Sequence, residues 1–241
     1  MTHILAIDTS SAWCSVALSL GEMPPLFRHE KVSTGSSQLL LPWIEDLLAE
    51  GGLTLSSLDA IAVDVGPGAF TGVRLGVAAV QGLAISVNLP VLSVCSLDAI
   101  AAQLSISPGF IKSDPDQFVI AADARMGEVY WARYQSVSNN LPLRVGDLML
   151  TGPEDVDLVG AQFLAGSAIQ EFGDRLFHSL SEPLPTHSLD FQIGVSALGV
   201  LLQGIEMFKN GQQQDVRQLE PVYVRNKVAL TTAERMLRSH V

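Results

Sequence analysis

Cysteine and histidine are scarce in this sequence, and their spacing argues against two large classes of site. Cys14 and Cys95 are the only cysteines in 241 residues, and neither lies in a CxxC or similar ligand spacing. They indicate two buried thiols in a reducing compartment rather than a disulfide framework. The five histidines include no pair four residues apart, which an HExxH zinc site requires. We therefore expect no metal site and, since a GxSxG motif is also absent, no protease activity.

Positive charge is also in short supply. The chain has 14 lysines and arginines against 25 acidic residues, which gives a net charge of -11. Proteins that hold nucleic acid unaided neutralise its phosphates with basic side chains, so this chain is a poor candidate for that role. If it acts on RNA, we expect another molecule to hold the RNA. Only 16% of the residues are charged and 48% are hydrophobic, a balance that predicts burial in a complex.

Long hydrophobic runs and a targeting segment are absent as well. The N-terminal MTHILAID enters a predicted strand within four residues and has no basic region, which argues against a signal peptide. No uninterrupted apolar stretch approaches the ~20 residues that cross a bilayer. These absences predict a soluble, cytoplasmic protein without a membrane partner.

Apolar runs separated by turn residues predict an α/β fold. Strands are predicted at 3–7, 14–20, 26–33, 60–65 and 91–94, and helices at 38–50, 71–87 and 96–103. We call the helix at 38–50 helix one and the helix at 71–87 helix two. Ser37 is the predicted N-cap of helix one, and Ser96 is that of the third helix. Pro42 lies inside helix one and predicts a kink or a later start.

The pattern then repeats after a predicted loop or linker at 105–117. A strand at 118–122 ends at Asp123, just as the first strand ends at Asp8, and a returning strand follows at 128–134. The echo predicts two similar halves, at 1–104 and 105–226, and a loosely held tail at 227–241. Further strands are predicted at 147–150 and 159–165, helices at 166–172 and 191–208, and a terminal strand or extended arm at 221–225.

Helix one and helix two both carry more apolar or small-residue surface than one sheet can cover. The apolar residues of helix one spread over more than half of its circumference and include Leu39, Leu40, Trp43 and Leu47. A second face of helix two carries Gly72, Gly76, Ala79 and Gly82. Interior glycines cost roughly 1 kcal/mol each relative to alanine, so they indicate close approach of another backbone. That backbone belongs either to the same chain or to a partner protein, and the sequence leaves both open.

A strand, a glycine turn and a helix precede this face. The turn Gly66-Pro67-Gly68 could hold a phosphate or carboxylate at the start of helix two, although it contains no GxxxxGK[ST] motif. In folds built from two such halves, Asp8 and Asp123 could face each other across a cleft and bind Mg²⁺ or act as a base. The plainer interpretation is that both aspartates form turns at strand ends. The first interpretation gives an alternative function, a small-molecule kinase or ATPase.

Five segments together resemble the bacterial TsaB family, also called YeaZ. They are ILAIDTSSAWCSVAL at 4–18, SSQLLLP at 36–42, GPGAFTGVRLG at 66–76, AADARMGEVY at 121–130 and PVYVR at 221–225. The resemblance implies an actin-like ATPase (ASKHA) fold of two RNase-H-like halves, with mixed sheets flanked by helices. It also implies a role in making N6-threonylcarbamoyladenosine (t6A) in tRNAs that read ANN codons. Two positions depart from the family pattern, because Ser36 stands where a histidine is usual and Ala69 where a serine is common.

The resemblance also implies how such a protein works. The chain would be a non-catalytic relative of the catalytic subunit TsaD, pairing with TsaD through helices one and two and helping to recruit the ATPase TsaE. It would contact tRNA only through the complex and form a homodimer when isolated. It would need no cofactor, and any nucleotide would bind weakly in a vestigial cleft made by Asp8, Thr9, Gly66, Gly68, Asp123 and Arg125.

Overall fold

Two mixed β-sheets form the frame of the protein. The structure is a computed structural model, which describes residues 2–32 and 35–225. The first sheet is built from β1 (Ile4–Asp8), β2 (Trp13–Leu20), β3 (Met23–Lys31), β4 (Ala60–Asp64) and β5 (Val91–Val94). Its spatial order is β3-β2-β1-β4-β5. The strand β1 runs antiparallel to β2 and parallel to β4. All five residues of β1 and of β4 are buried, because helices cover both faces of the sheet centre.

The second sheet repeats this plan. Its strands are β6 (Gln117–Asp123), β7 (Val129–Gln135), β8 (Leu143–Thr151), β9 (Phe163–Ala165) and β10 (Leu189–Asp190). Their order, β10-β9-β6-β7-β8, matches that of the first sheet, with β6 antiparallel to β7 and parallel to β9. The prediction of two similar halves with mixed sheets and flanking helices is therefore confirmed. Asp8 and Asp123 end the equivalent strands β1 and β6.

Six α-helices of the described part of the chain lie against these sheets. They are α1 (Ser36–Glu50), α2 (Phe70–Val87), α3 (Ser96–Leu104), α4 (Pro108–Ser113), α5 (Ala168–Phe172) and α6 (Ala197–Lys209). Helix one of the sequence prediction is α1, and helix two is α2. The apolar core that α3 and α6 share contains residues of both sheets, among them Ala62 and Leu92 from the first and Phe118 and Ile120 from the second. The two halves are thus joined by a common core rather than by a linker alone.

The last helix, α6, belongs spatially to the first half. Its backbone at Ala197 donates to Ser15 Oγ on β2 at 2.9 Å. A Cβ at Gly204 would lie 2.8 Å from the Cβ of Ala62 on β4, so the helix packs closely on that strand. The predicted second part, 105–226, therefore includes a helix that covers the first sheet. The predicted tail, 227–241, lies outside the described residues.

Two predicted helix caps are wrong for local reasons. α1 begins at Ser36 with Gly35 as its N-cap, so Ser37 and Pro42 both lie within the helix. α3 begins at Ser96, and its N-cap is Cys95. The Ser96 hydroxyl donates to the carboxylate of Asp64 instead of capping the helix, because burial makes that charged acceptor the stronger partner.

Several element boundaries also differ from the predicted ones. The predicted loop at 105–117 contains α4, whose N-cap Ser107 accepts from Phe110 N and is followed by Pro108, a combination that favours a helix start. The helix predicted from Phe191 begins only at Ala197, after the capping residue Ser196. The helix predicted from Gly166 begins at Ala168. The strand β8 is longer than the predicted strand at 147–150, and β9 is shorter than the predicted strand at 159–165. The two-residue strand β10 has no counterpart in the prediction.

The apolar character of α2 requires one qualification of the sequence prediction. Among the described residues, α2 is the single helix long and apolar enough, by length and composition only, to cross a membrane. Its buried side chains, including Val73, Val77 and Val80, pack in one core cluster with Ile7 of β1 and Val63 of β4. In this fold the apolar stripe of α2 therefore contacts the first sheet.

Candidate functional site

The turn that follows β1 packs directly on the turn that precedes α2. A Cβ at Gly68 would lie 2.5 Å from the carbonyl oxygen of Ser10, and a Cβ at Gly72 would overlap that of Thr9. Hydrogen bonds join the same two segments, since Ala69 N donates to Ser10 O at 2.6 Å and Thr9 Oγ1 donates to Gly72 O at 2.7 Å. The glycines therefore allow two backbones of this chain to touch.

This packing divides the predicted glycine face of α2. Gly72 lies against Thr9 O, and Gly76 lies so close to Thr9 that a Cβ there would be 2.9 Å from its Oγ1. Assigning these two glycines to a partner surface is therefore wrong, because the backbone that approaches them belongs to the same chain. Ala79 is half-buried, and Gly82 is exposed with nothing within 4 Å of its Cβ position. A partner role for Ala79 and Gly82 stays a prediction.

Two buried carboxyl groups lie beneath these turns. Asp8 ends β1 and is 0% exposed, and Asp64 ends β4 and is 2% exposed. Burial raises the pKa of Asp8 well above its ordinary value, and the neighbouring charge of Asp64 raises it further. Burial also raises the pKa of Asp64, while hydrogen bonds from Ser96 Oγ and Gly66 N lower it.

The hydrogen bonds show which of the two groups is better suited to carry the charge. Asp64 accepts from Ser96 Oγ at 2.7 and 2.9 Å and from Gly66 N at 2.8 Å. Among the described residues, Asp8 accepts only from Ser10 N, at 2.8 Å, and its other oxygen, Oδ2, has no partner. An ionised carboxylate needs donors, whereas a protonated one supplies its own. The donors therefore favour the charged form at Asp64 more than at Asp8, and Asp8 is the member of the pair that more readily keeps a proton.

Asp64 was not among the predicted site residues. A signal for it existed, because Asp64 follows an apolar strand and precedes a glycine turn, as Asp8 does at the end of its own strand. The parallel pairing of β1 with β4 brings these two strand ends together. Sequence reasoning instead paired Asp8 with its counterpart in the second half.

Asp123 has different neighbours. Its carboxylate forms an ion pair with Arg125 at 3.1 Å and accepts from the backbone N–H of the same arginine at 2.8 Å. Its own N–H donates to Ser167 Oγ at 3.0 Å. Asp123 is thus a turn-forming residue at the strand end, the plainer of its two interpretations. Asp8 has Asp64 rather than Asp123 as its carboxylate neighbour.

The segment Pro221–Arg225, which we call the clasp, connects the turns of the two halves. Val222 N donates to Val65 O at 2.8 Å, and a Cβ at Gly66 would lie 3.3 Å from Val222 O. At its other end, Arg225 donates to Ala124 O at 3.2 Å and forms an ion pair with Glu128. The structure thus gives an extended arm here and no strand, one of the two forms predicted.

An apolar groove of about 390 Å³ lies between α1 and the C-terminal part of α2. Its lining residues are Leu41, Ile44, Glu45, Leu48, Ala49, Leu53, Leu55 and Leu83. Leu41 is 53% exposed, and Ile85 on α2 is 63% exposed. Of the predicted partner residues, Leu39 and Trp43 are half-buried, but Leu40 and Leu47 are 1% and 0% exposed. Placing Leu40 and Leu47 on a partner surface is therefore wrong, because they pack in the core of the first half.

The fold and these turns can now be compared with known proteins. The family described as TsaD, tRNA N6-adenosine threonylcarbamoyltransferase, matches residues 29–225. The chain is 34% identical to the tRNA threonylcarbamoyladenosine biosynthesis protein TsaB of Escherichia coli over 94% of its own length and 96% of that protein. The chain belongs to the TsaB family. The TsaB of Haemophilus influenzae is 40% identical over 54% of this chain and 52% of that protein.

Solved structures of TsaB relatives have the same fold. YeaZ from Pseudomonas aeruginosa superimposes with a TM-score of 0.78 at 33% identity, over 92% of this chain and all of that one. A second structure from the same organism is described as an uncharacterised protein with similarity to peptidase YeaZ. It superimposes with a TM-score of 0.80 at 34% identity, over 93% of this chain and all of that one. Within 2–32 and 35–225, no group of three or more His, Cys, Asp or Glu residues is arranged to hold a metal ion.

Proposed function

We propose that this chain is a non-catalytic subunit in t6A biosynthesis that pairs with TsaD through the outer faces of α1 and α2 and helps to recruit TsaE. Family membership supports the pathway, since the relatives in E. coli and H. influenzae are named for threonylcarbamoyladenosine biosynthesis. The pairing rests on one observation, the open groove between α1 and α2.

The groove has the character of an interface core. Leucine and isoleucine dominate its lining, and the exposed side chains of Leu41 and Ile85 extend the apolar surface beside it. Fully burying one such side chain stabilises a complex by roughly 1.5–3 kcal/mol. Glu45 is the charged residue of the lining, with Asp46 exposed next to it on α1. A fitting partner therefore presents an apolar helix surface bordered by basic residues, and we propose that TsaD does so.

The residues that would serve a nucleotide are engaged by the chain itself, which supports a non-catalytic role. The carboxyl of Asp8 is fully buried beside Asp64, and the Gly68–Gly72 stretch packs on the backbone of Thr9 and Ser10. Asp123 is paired with Arg125. A nucleotide would have to displace these contacts, so we propose that no cofactor is required and that any nucleotide binds weakly.

The net charge and the exposed apolar groove also bear on two other binding partners, tRNA and a second copy of this chain. A net charge of -11 disfavours direct contact with tRNA phosphates, so we propose that tRNA is held by the other subunits. In the absence of TsaD, a second copy of this chain would cover the same groove and form a symmetric homodimer. The heterodimer and homodimer would then compete for one surface.

Replacing Leu41 by Glu tests the pairing. Leu41 is largely exposed, so the substitution places a charge in the groove without removing a core side chain. Met23→Glu, at a 67% exposed methionine on β3, is the matched control for an added surface charge. Binding to purified TsaD is measured by calorimetry, and t6A in tRNA is measured by nucleoside mass spectrometry in cells that depend on each variant.

We expect Leu41→Glu to weaken TsaD binding at least tenfold, a loss of about 1.4 kcal/mol, and to lower t6A, while Met23→Glu changes neither. Equal TsaD affinity of Leu41→Glu and the unmodified chain would refute pairing through this groove. Normal t6A in cells that lack the chain altogether would refute the pathway assignment.

A further inference from the structure

The clasp contacts both halves of the molecule through only a few groups. Its five residues enter neither sheet, and only Tyr223 and Val224 separate the two anchors, Val222 and Arg225. The side chains of Val222 and Tyr223 are about half exposed, at 45% and 54%. A segment held by few contacts and open to solvent detaches at low free energy.

The first anchor lies at the start of α2. Val222 bonds Val65 and its carbonyl oxygen shields Gly66. The Tyr223 ring lies 6.5 Å from the Phe70 ring, and the Arg74 guanidinium lies 3.2 Å from the centre of Phe70 and 5.0 Å from that of Tyr223. The Arg74 guanidinium therefore lies close to two aromatic rings, whose faces attract its positive charge.

The second anchor lies on the turn after β6. The Arg225 guanidinium forms an ion pair with Glu128 and donates to the carbonyl oxygens of Ala124 and Arg125. That turn is internally closed by Ala124 N donating to Glu128 O at 2.9 Å. Arg225 Nε is buried and has no hydrogen-bond partner within the part of the chain that the structure describes, so the guanidinium gives up part of its hydration to reach this place.

We propose that the clasp is a releasable tie that couples the glycine turn of the first half to the Asp123 turn of the second. Release at either anchor loosens both turns, because only Tyr223 and Val224 separate Val222 from Arg225 and so short a backbone segment leaves little slack. Release also removes Val222 O from its place 3.3 Å from the Cβ position of Gly66. The clasp lies at the first turn of α2, away from the groove at Leu83, so this proposal does not depend on pairing with TsaD.

Reciprocal substitutions test the coupling, with amide hydrogen exchange of the full chain as the measurement. Arg225→Met removes the second anchor, and exchange is followed at Gly66 and Ala69 in the first half. Tyr223→Ala removes the ring contact of the first anchor, and exchange is followed at Ala124 and Glu128 in the second half. Arg217→Met is the control, because Arg217 pairs locally with Asp215 and touches neither turn.

We expect Arg225→Met to speed exchange about tenfold and Tyr223→Ala several-fold at the distant turn as well as at the near one, with β1 and β6 unchanged, since the first loses a charge-assisted contact and the second a weaker ring contact. Arg217→Met should leave all four amides unchanged. Faster exchange confined to the turn next to each substitution would refute the coupling. Faster exchange throughout both sheets would also refute it, because it would mean that the clasp supports the whole fold rather than a local opening.

Discussion

The raised pKa of Asp8 makes a sharp prediction for Asp8→Asn. Asn has the size of a protonated aspartic acid, keeps an acceptor for Ser10 N and offers an N–H donor where the acid has its O–H. If Asp8 is neutral in the folded protein, the substitution removes a titrating group and little else. If Asp8 is ionised, the same substitution removes a buried charge and changes the electrostatics of Asp64.

The pH dependence of the free energy of unfolding gives the size of the expected difference between Asp8→Asn and the unmodified chain. In the unfolded chain an aspartic acid has a pKa near 4, so it is ionised above about pH 5. Burial and the neighbouring charge of Asp64 raise the pKa of Asp8 in the folded protein, so the folded form keeps its proton to a higher pH than the unfolded chain does. Unfolding then releases one proton, and the free energy of unfolding falls by up to about 1.4 kcal/mol for each pH unit above pH 5, until the pH reaches the folded pKa. Asn cannot titrate, so this loss is absent in Asp8→Asn.

The assay is urea unfolding of both proteins at several pH values from 5 to 8. We expect Asp8→Asn to gain stability relative to the unmodified chain as the pH rises, by up to about 1.4 kcal/mol per unit. Asp64→Asn is the contrasting variant, because Asp64 accepts from Ser96 and Gly66 and its loss should cost about 1–3 kcal/mol. Parallel stability curves for Asp8→Asn and the unmodified chain would refute the protonation assignment.

Two further predictions concern packing and thiol reactivity. Gly72→Ala should lower the free energy of unfolding by about 3 kcal/mol, because its Cβ would overlap Thr9 O. Gly82→Ala on the same helix should raise the free energy of unfolding by roughly 1 kcal/mol. Equal effects of the two substitutions in urea unfolding would contradict the packing of the two turns. Burial raises the pKa of Cys14 to about 11 and that of Cys95 to about 12. Neither thiol should therefore react with iodoacetamide in the native protein at pH 8, while both should react in urea. Labelling of either cysteine in the native protein would contradict this prediction.

Local patterns predicted the repeated frame well. Each half begins with an apolar strand that ends in aspartate and returns as a hairpin, and both hairpins are present in the structure. Alternation along a strand and glycine at a helix end are properties of short segments, so a single sequence records them. The sequence pattern does not reveal the short helix α4, because proline and glycine in this segment favour a loop as much as Ser107-Pro108 favours a helix start.

Contacts between distant segments could not be predicted in the same way. Three glycines on one face of α2 indicated a close neighbour, but not that Thr9 and Ser10 would supply it for two of them. The pairing of Asp8 with Asp64 follows from the parallel alignment of β1 and β4, which sequence patterns do not specify. Leu40 and Leu47 were placed on a partner surface because helix one is apolar over most of its circumference, and periodicity alone does not say which stripe meets the sheet.

The position of α6 sets the order in which the chain can fold on the ribosome. All five strands of the first sheet are synthesised within the first 94 residues, but the helix that covers their inner face begins at Ala197. Until then, side chains such as Ala62 and Leu92 have no cover from α6. A nascent chain stopped after residue 104 should therefore be insoluble or bound by chaperones, and fragments cut at the midpoint of the sequence should not regain the native sheet when expressed separately.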